Sequence, residues 1–240
     1  MSKLQRPLVL LAIVALSGFI IAKCQAFLRA RAGGPETISS RLKEFGAVVE
    51  KRLQPDFRRA GVPYPPARVV LVGLKEERRL EVYAAGSKGP LRFIRAYPIL
   101  CASGNLGPKL REGDFQVPEG LYGIEYLNPN SSYHLSMKLD YPNAFDRKHA
   151  AQEGRTKLGG DIMIHGNAAS IGCLAMGDPA SEDLFVLAAL TGSKNVSVIL
   201  SPVDFRVHEM PPLPPKATPL PAWTQHLYPQ LRAALQTLGR

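Results

Sequence analysis

The sequence predicts a mainly β, α+β fold: a sheet sandwich or partial barrel carrying one or two helices, preceded by a helix and followed by an extension. Three features support this. Between Arg68 and Leu200, short apolar or alternating segments recur, separated by turns rich in Gly and Pro. Strand side chains alternate between two faces, so this period marks strands. Only one stretch in that span, Pro179 to Leu190, reads as a helix, with Asp178 at its N-cap and Pro179 in its first turn.

The elements follow in order. Residues 1–32 read as a signal peptide or membrane anchor. Lys3 and Arg6 precede an apolar run from Leu8 to Ala22, roughly 15 residues, where a membrane span wants about 20. Residues 33–66 form a lead-in helix, with Ile38, Leu42, Phe45, Val49, Leu53 and Phe57 on one face. Pro55 is expected to disturb its last turn.

The main domain spans residues 67–205. Its strand candidates are ARVVLVGLK, Leu80 to Tyr83, Leu91 to Leu100, Gly120 to Leu127, Tyr133 to Leu139, Asp161 to His165 and Val196 to Leu200. Residues 206–240 begin with a stiff Pro-rich linker and end in a helix expected to start near Pro229. Its stripe of Leu231, Ala234, Leu235 and Leu238 is suited to docking back on the domain.

A hydrophobic share of 45% with 21% charged residues excludes wholesale disorder. The net charge of +10 suits a polyanionic partner, but the basic residues are scattered and no nucleic-acid motif accompanies them. No nucleic-acid partner is therefore expected. A membrane enters only through the N-terminal segment. His149, His208 and His226 show no ligand spacing, so neither a metal nor a cofactor is expected.

The stretch GGDIMIHGNAASIGCLAMGD concentrates the reactive groups. His165 ends an apolar strand, Gly166 follows it, and Cys173 lies eight residues on, after Ser170-Ile171-Gly172. A thiol with a pKa near 8.5 is mostly protonated at neutral pH, so a nucleophilic cysteine needs an imidazole to take or balance its proton. Gly172 allows a sharp turn and presents amides beside the sulfur, where a negative oxygen can be held. Spacing alone does not separate this from a buried structural cysteine near a satisfied histidine. A Cys101–Cys173 disulfide, which would silence the site, is a further alternative.

Taken together, HG followed by S-x-G-C, with GPKLREGDFQVPEGLYGI, LNPNSSYHLSMKLDYPNAFDR and DIMIHG upstream, resembles the L,D-transpeptidase catalytic (YkuD) domain family, in particular its YafK-like murein branch. The resemblance covers about Arg68 to Asp204. It implies Cys173 as nucleophile, His165 as its activator, and the Gly166 carbonyl as the group orienting the imidazole. It further implies the Gly172 and Cys173 amides as the oxyanion hole and Ser170 as a loop brace at the substrate site. Two departures stand out: Ile171 occupies the place of a second histidine, and Leu174-Ala175-Met176 follow the cysteine where many members carry arginine. Tyr133, His134, Arg111, Lys109 and Arg147 are the candidates for the vacant substrate contacts.

The implied activity is cofactor-free acyl transfer on peptidoglycan stem peptides, giving cross-links or lipoprotein attachment and bearing on cell-wall biogenesis and cell shape. The implied setting is the bacterial periplasm or envelope. One alternative is a murein peptide hydrolase using the same Cys–His site to release murein-linked lipoprotein. Another is a non-catalytic envelope-binding module.

Overall fold

The computed structural model describes residues 34–215 and 218–238. The described residues from Thr37 onward form one compact unit. The expected signal peptide or anchor, and with it Cys24, lies outside the described residues. No helix among the described residues is long and apolar enough to cross a membrane.

Helix α1 (Ile38–Ala60) begins with a reciprocal cap. The Ser40 amide donates to the Thr37 hydroxyl (3.0 Å), and the Thr37 amide donates to the Ser40 hydroxyl (2.8 Å). It ends at Gly61 in the left-handed region (φ 67°). Pro55 does not end it. An internal proline costs about 3 kcal/mol, but Leu53 and Phe57 on either side of it are buried to 2% and 1% exposure. Burying such side chains returns roughly 1.5–3 kcal/mol each.

Among the described residues, nine strands form one mixed sheet: β1 (Arg68–Leu74), β2 (Arg79–Ala85), β3 (Arg92–Pro98), β4 (Cys101–Ala102), β5 (Gly120–Ser131), β6 (His134–Leu139), β7 (Met163–His165), β8 (Leu174–Ala175) and β9 (Val196–Ser201). Their order is β3-β2-β1-β9-β5-β6-β7-β8-β4. The β1/β9 and β7/β8 pairs are parallel and the others antiparallel.

The long strand β5 is the corner of the sheet. Gly120 to Gly123 pair with β9, and from Ile124 onward it pairs with β6. Register shifts at Ile124/Tyr126 and Asn128/Ser131 add the local twist that curls the sheet into a half-barrel. The expected α+β, partial-barrel class holds, with four α-helices among the described residues.

The other helices are α2 (Ala144–Gln152), α3 (Asp178–Thr191) and α4 (Thr224–Gln236). Helix α2, absent from the sequence reading, is capped by Asn143 in reciprocal bonding with Asp146. Along β1 the two faces bury different partners. Val69 and Leu71 join the main core with α1 and α3, while Val72 and Leu74 join a second cluster with Trp223, Leu227, Leu231 and Leu235.

The C-terminal helix therefore docks as expected, with Leu231 and Leu235 fully buried. It starts at Thr224 rather than near Pro229, because Trp223 and Leu227 extend the buried stripe by a turn and carry Pro229 inside the helix.

Candidate active site

The central pieces are β7 and β8, paired as Ile164↔Leu174 and His165↔Ala175. Ile164 and Leu174, each 1% exposed, point into the core. Strand alternation then turns Met163, His165 and Cys173, the residue just before β8, to the opposite face. There Cys173 and His165 line one cavity of about 540 Å³. The chain between them reverses through Asn167 (φ 59°) and Gly172 (φ 115°). It is pinned where the Met176 amide donates to the His165 carbonyl (2.8 Å) and the Gly177 amide to the Asn167 carbonyl (2.9 Å).

His165 is 3% exposed, and its Nδ1–H donates to the Gly166 carbonyl at 2.6 Å. That bond fixes the tautomer and leaves Nε2 as the basic nitrogen. The Tyr133 ring lies over the imidazole, with centroids 4.7 Å apart and planes 36° apart.

Gly166 is held in a space only glycine fits. A Cβ there would lie 2.6 Å from Asp178 Oδ1, 2.8 Å from the Tyr133 carbonyl oxygen and 2.9 Å from Ser181 Oγ. Asp178 caps no helix with its side chain. Gly177 is the N-cap of α3, and the Asp178 carboxylate instead accepts from the Asn167 amide (2.8 Å), holding the turn after His165.

Around the sulfur, the Met163 amide donates to Sγ (3.4 Å), and the thiol donates to the Asp161 carbonyl (3.5 Å). Ser170 braces the loop carrying Cys173 from both sides: its hydroxyl donates to the Cys173 carbonyl (2.5 Å) and accepts from the Cys173 amide (3.0 Å). The Cys173 amide, expected to be free for an oxyanion, is thus engaged in the resting site. Gly172 keeps the open conformation that its position in the turn requires.

Burial pushes the Cys173 thiol above its ordinary value, with the Met163 amide pulling the other way. Burial likewise pushes His165 below the ordinary imidazole value, against the opposing pull of its bond to Gly166. Both shifts disfavour charge. Desolvation thus favours the uncharged form of each group. Cys101 and Cys173 are both free thiols, so the disulfide alternative does not apply.

The substrate candidates divide. Tyr133 lines the cavity, as does Lys109. His134 does not: its Nε2 pairs with Glu182 (3.0 Å) and its ring packs edge-on against Phe45. Arg111 lines a neighbouring groove with Arg155, on the far side of the loop at Gly113. Arg147 donates to the Pro142 carbonyl at the start of α2. Ser170 acts within its own loop and is not part of the cavity wall.

The sequence reading missed Asp161 and Met163, whose backbone groups hold the sulfur. The Gly159-Gly160 pair before Asp161 was the available signal for a special backbone there, and Asp161 indeed has φ 55°. The loop carrying Lys109, Glu112 and Phe115 forms one wall of the cavity.

Residues 67–199 match the model of the L,D-transpeptidase catalytic domain, YkuD. The chain belongs to this family. Over 133 residues it is 39% identical to YafK of Escherichia coli (strain K12), a protein provisionally named an L,D-transpeptidase, covering 53% of this chain and 51% of that one. The chain thus spans about half the length of the curated relatives it matches.

Among solved structures, it is similar to the helical cell shape determining protein Pgp2 from Campylobacter jejuni (26% identity, TM-score 0.45, 55% of this chain and 47% of that one). It is also similar to L,D-transpeptidase 1 of Mycobacterium tuberculosis (14% identity, TM-score 0.33, 56% and 62%).

Proposed function

We propose that this protein is a cysteine acyltransferase acting on peptidoglycan stem peptides, with Cys173 as nucleophile and His165 as its general base. The observation that carries the reading is the shared cavity: one wall presents a thiol and, on the same strand face, an imidazole whose tautomer leaves Nε2 free to accept a proton.

In the first step the thiol proton passes to His165 Nε2 as sulfur bonds to the carbonyl carbon of the third stem residue. The developing oxyanion needs amide donors, and the Gly172 N–H beside the sulfur is the candidate. The Cys173 amide would join it by giving up Ser170. The imidazolium then returns the proton to the leaving amide nitrogen, the C–N bond breaks, and a thioester remains.

An acceptor amine, deprotonated by His165, attacks the thioester and restores the thiol. With water as acceptor, the same steps give hydrolysis. Neutral resting groups suit this cycle, because charge forms only as the substrate excludes water. Stem peptides lie outside the cytoplasm, so the proposal includes export through residues 1–32 to the periplasm or envelope.

The test is incubation of the protein with defined tetrapeptide muropeptides, read by mass spectrometry. Cross-linked dimers mark transfer, and shortened stems or freed lysine-bearing peptide mark hydrolysis. Cys173→Ala should abolish either product while sparing sacculus binding. Unchanged turnover in that variant would refute Cys173 as the nucleophile, and sacculus binding with no product from the parent would favour a binding module.

A further inference from the structure

The aromatic cover over His165 sits at an exposed tip. The Tyr133 ring lies 4.7 Å from the imidazole, centroid to centroid, yet Tyr133 is itself 43% exposed. It belongs to the two-residue turn of the β5/β6 hairpin, which closes at Ser131↔His134. The pairing of β6 with β7 reaches only Ser136↔His165, with one further bond from the Gly166 amide to the Leu135 carbonyl (3.2 Å). Toward β7 the tip has no ladder of its own.

His134 supplies the grip instead. It has φ 70°, a conformation that a non-glycine residue keeps only where its surroundings hold it. Its Nε2 pairs with Glu182 Oε1 (3.0 Å), and its ring packs edge-on against Phe45 of α1 (5.3 Å). Glu182 lies on α3, and its second oxygen accepts from Arg52 of α1 (2.8 Å). Arg52 is anchored in turn on Asp183 (2.7 Å) and the Pro179 carbonyl (3.3 Å). Arg41, also on α1, donates to the Pro129 carbonyl in β5 (3.0 Å). Helix α1 precedes the catalytic domain that begins at residue 67, so part of this support comes from outside it.

We propose that Glu182 is a positioning residue: by holding His134 against α1, it keeps the Tyr133 ring over His165 and water off the imidazole that receives the thiol proton. Glu182 touches no reacting atom. The role rests on His165 as the base of the acyl-transfer reading above.

The sign of the effect separates this role from direct electrostatics. Removing a carboxylate near an imidazole lowers its proton affinity, whereas removing its cover lets water solvate the imidazolium and raises it. The charged and titratable groups facing His165, besides Tyr133, are Cys173, Lys109, Glu112 and Asp161 around the cavity and Asp178 beside Gly166. Those facing Glu182 are His134 of β6 and Arg52 of α1.

The experiment titrates the His165 imidazole by NMR in the full chain and follows muropeptide turnover in parallel. In Glu182→Ala the proton affinity of His165 should rise about threefold or more, and kcat/KM should fall. Glu182→Gln, which keeps an acceptor for His134, should stay close to the parent. His134→Asn tolerates the left-handed φ and is too short to reach Glu182. It breaks the same bond from the other side and should match Glu182→Ala, so one of the two decides if the other fails to fold. In a Tyr133→Ala background, with the cover already gone, Glu182→Ala should add no further rise.

An unmoved or lowered affinity in folded Glu182→Ala or His134→Asn overturns the proposal, and so does a rise that persists undiminished without Tyr133. The expected titration in a protein with no turnover would keep the shielding of His165 by Glu182 and remove the acyl-transfer reading instead.

Discussion

Replacing Gly166 by alanine tests whether the turn after His165 is as tightly fitted as the geometry requires. The added methyl would meet Asp178 Oδ1 at 2.6 Å, the Tyr133 carbonyl oxygen at 2.8 Å and Ser181 Oγ at 2.9 Å. None of these gives way easily. Asp178 is held by the Asn167 amide (2.8 Å), the Ser181 hydroxyl donates to the Asp178 carbonyl (2.9 Å), and the Tyr133 oxygen is backbone. Relief must therefore come from residue 166 itself. Moving from 2.6 Å to ordinary contact near 3.4 Å is a displacement of about 0.8 Å. The carbonyl carried by that residue is the one that fixes the imidazole at 2.6 Å. Overpacking of this kind costs about 1–3 kcal/mol. In a chain of this size that lowers Tm by roughly 2–12 °C, taking about 2–4 °C per kcal/mol. Turnover should suffer more than stability, because a misplacement near 1 Å at a reacting group costs about 10²-fold. Thermal denaturation, with muropeptide turnover measured well below Tm, checks both. A variant that melts and turns over like the parent would show that the glycine is not confined as described and that the carbonyl–imidazole bond does not matter.

Three further outcomes are expected. His165 must be neutral to take a proton, and burial holds its pKa below the ordinary value. The acid limb of kcat/KM should therefore fall below about 6.5, while Cys173 alkylation should keep accelerating above about pH 8.5; an acid limb above 6.5 or a thiol titrating near 6 would mean a resting ion pair. Leu231→Ala removes a fully buried side chain from the second core and should cost about 2–5 kcal/mol in denaturant unfolding; a loss within 0.5 kcal/mol, the range of an ordinary surface change, would mean that α4 does not dock. Burial raises the Asp146 carboxyl to about 6. A raised carboxyl favours the fold while protonated, so its contribution is present below the unfolded value and is lost as pH rises through about 6. The Tm of the parent should accordingly fall relative to Asp146→Asn between about pH 4 and 6.5, and parallel Tm curves would count against the buried acid.

The fold was legible wherever a periodic pattern ran long enough to read. The stripe from Ile38 to Phe57 and the alternation from Arg68 to Tyr97 correspond to α1 and to strands β1 to β3. What escaped was short or decided by tertiary contacts. The two-residue strands β4 and β8 have no period, and they exist because Cys101 and Ala102 pair with Ala175 and Leu174. Helix α2 carries little apolar stripe, and its signal was the Asn143 and Asp146 spacing of a capping box, which was not weighed. Pro229 was read as a helix start because proline suits a first turn, whereas burial of Trp223 and Leu227 set the boundary one turn earlier.

The sequence names Cys173 and His165 as the candidate pair, and both line one cavity, but it carries no sign of their electrostatics, for a physical reason. Residue identity fixes which groups can react, whereas the parallel pairing of β7 with β8 that brings them to one face has no local signal, since a short connection ordinarily joins antiparallel strands. Charge state depends instead on desolvation, which no local pattern reports. His165 is buried and Cys173 half-buried, and desolvation is the largest influence on each, so each shifts toward its neutral form. The same burial sorts the basic candidates. Arg111 faces another groove and Arg147 folds onto its own helix, leaving Lys109, walled in by a loop that Asp114 and Lys75 hold, as the cation that shares the sulfur's cavity. A sequence offers several lysines and arginines of equal standing, and the fold brings one of them to the wall of the cavity that holds the sulfur.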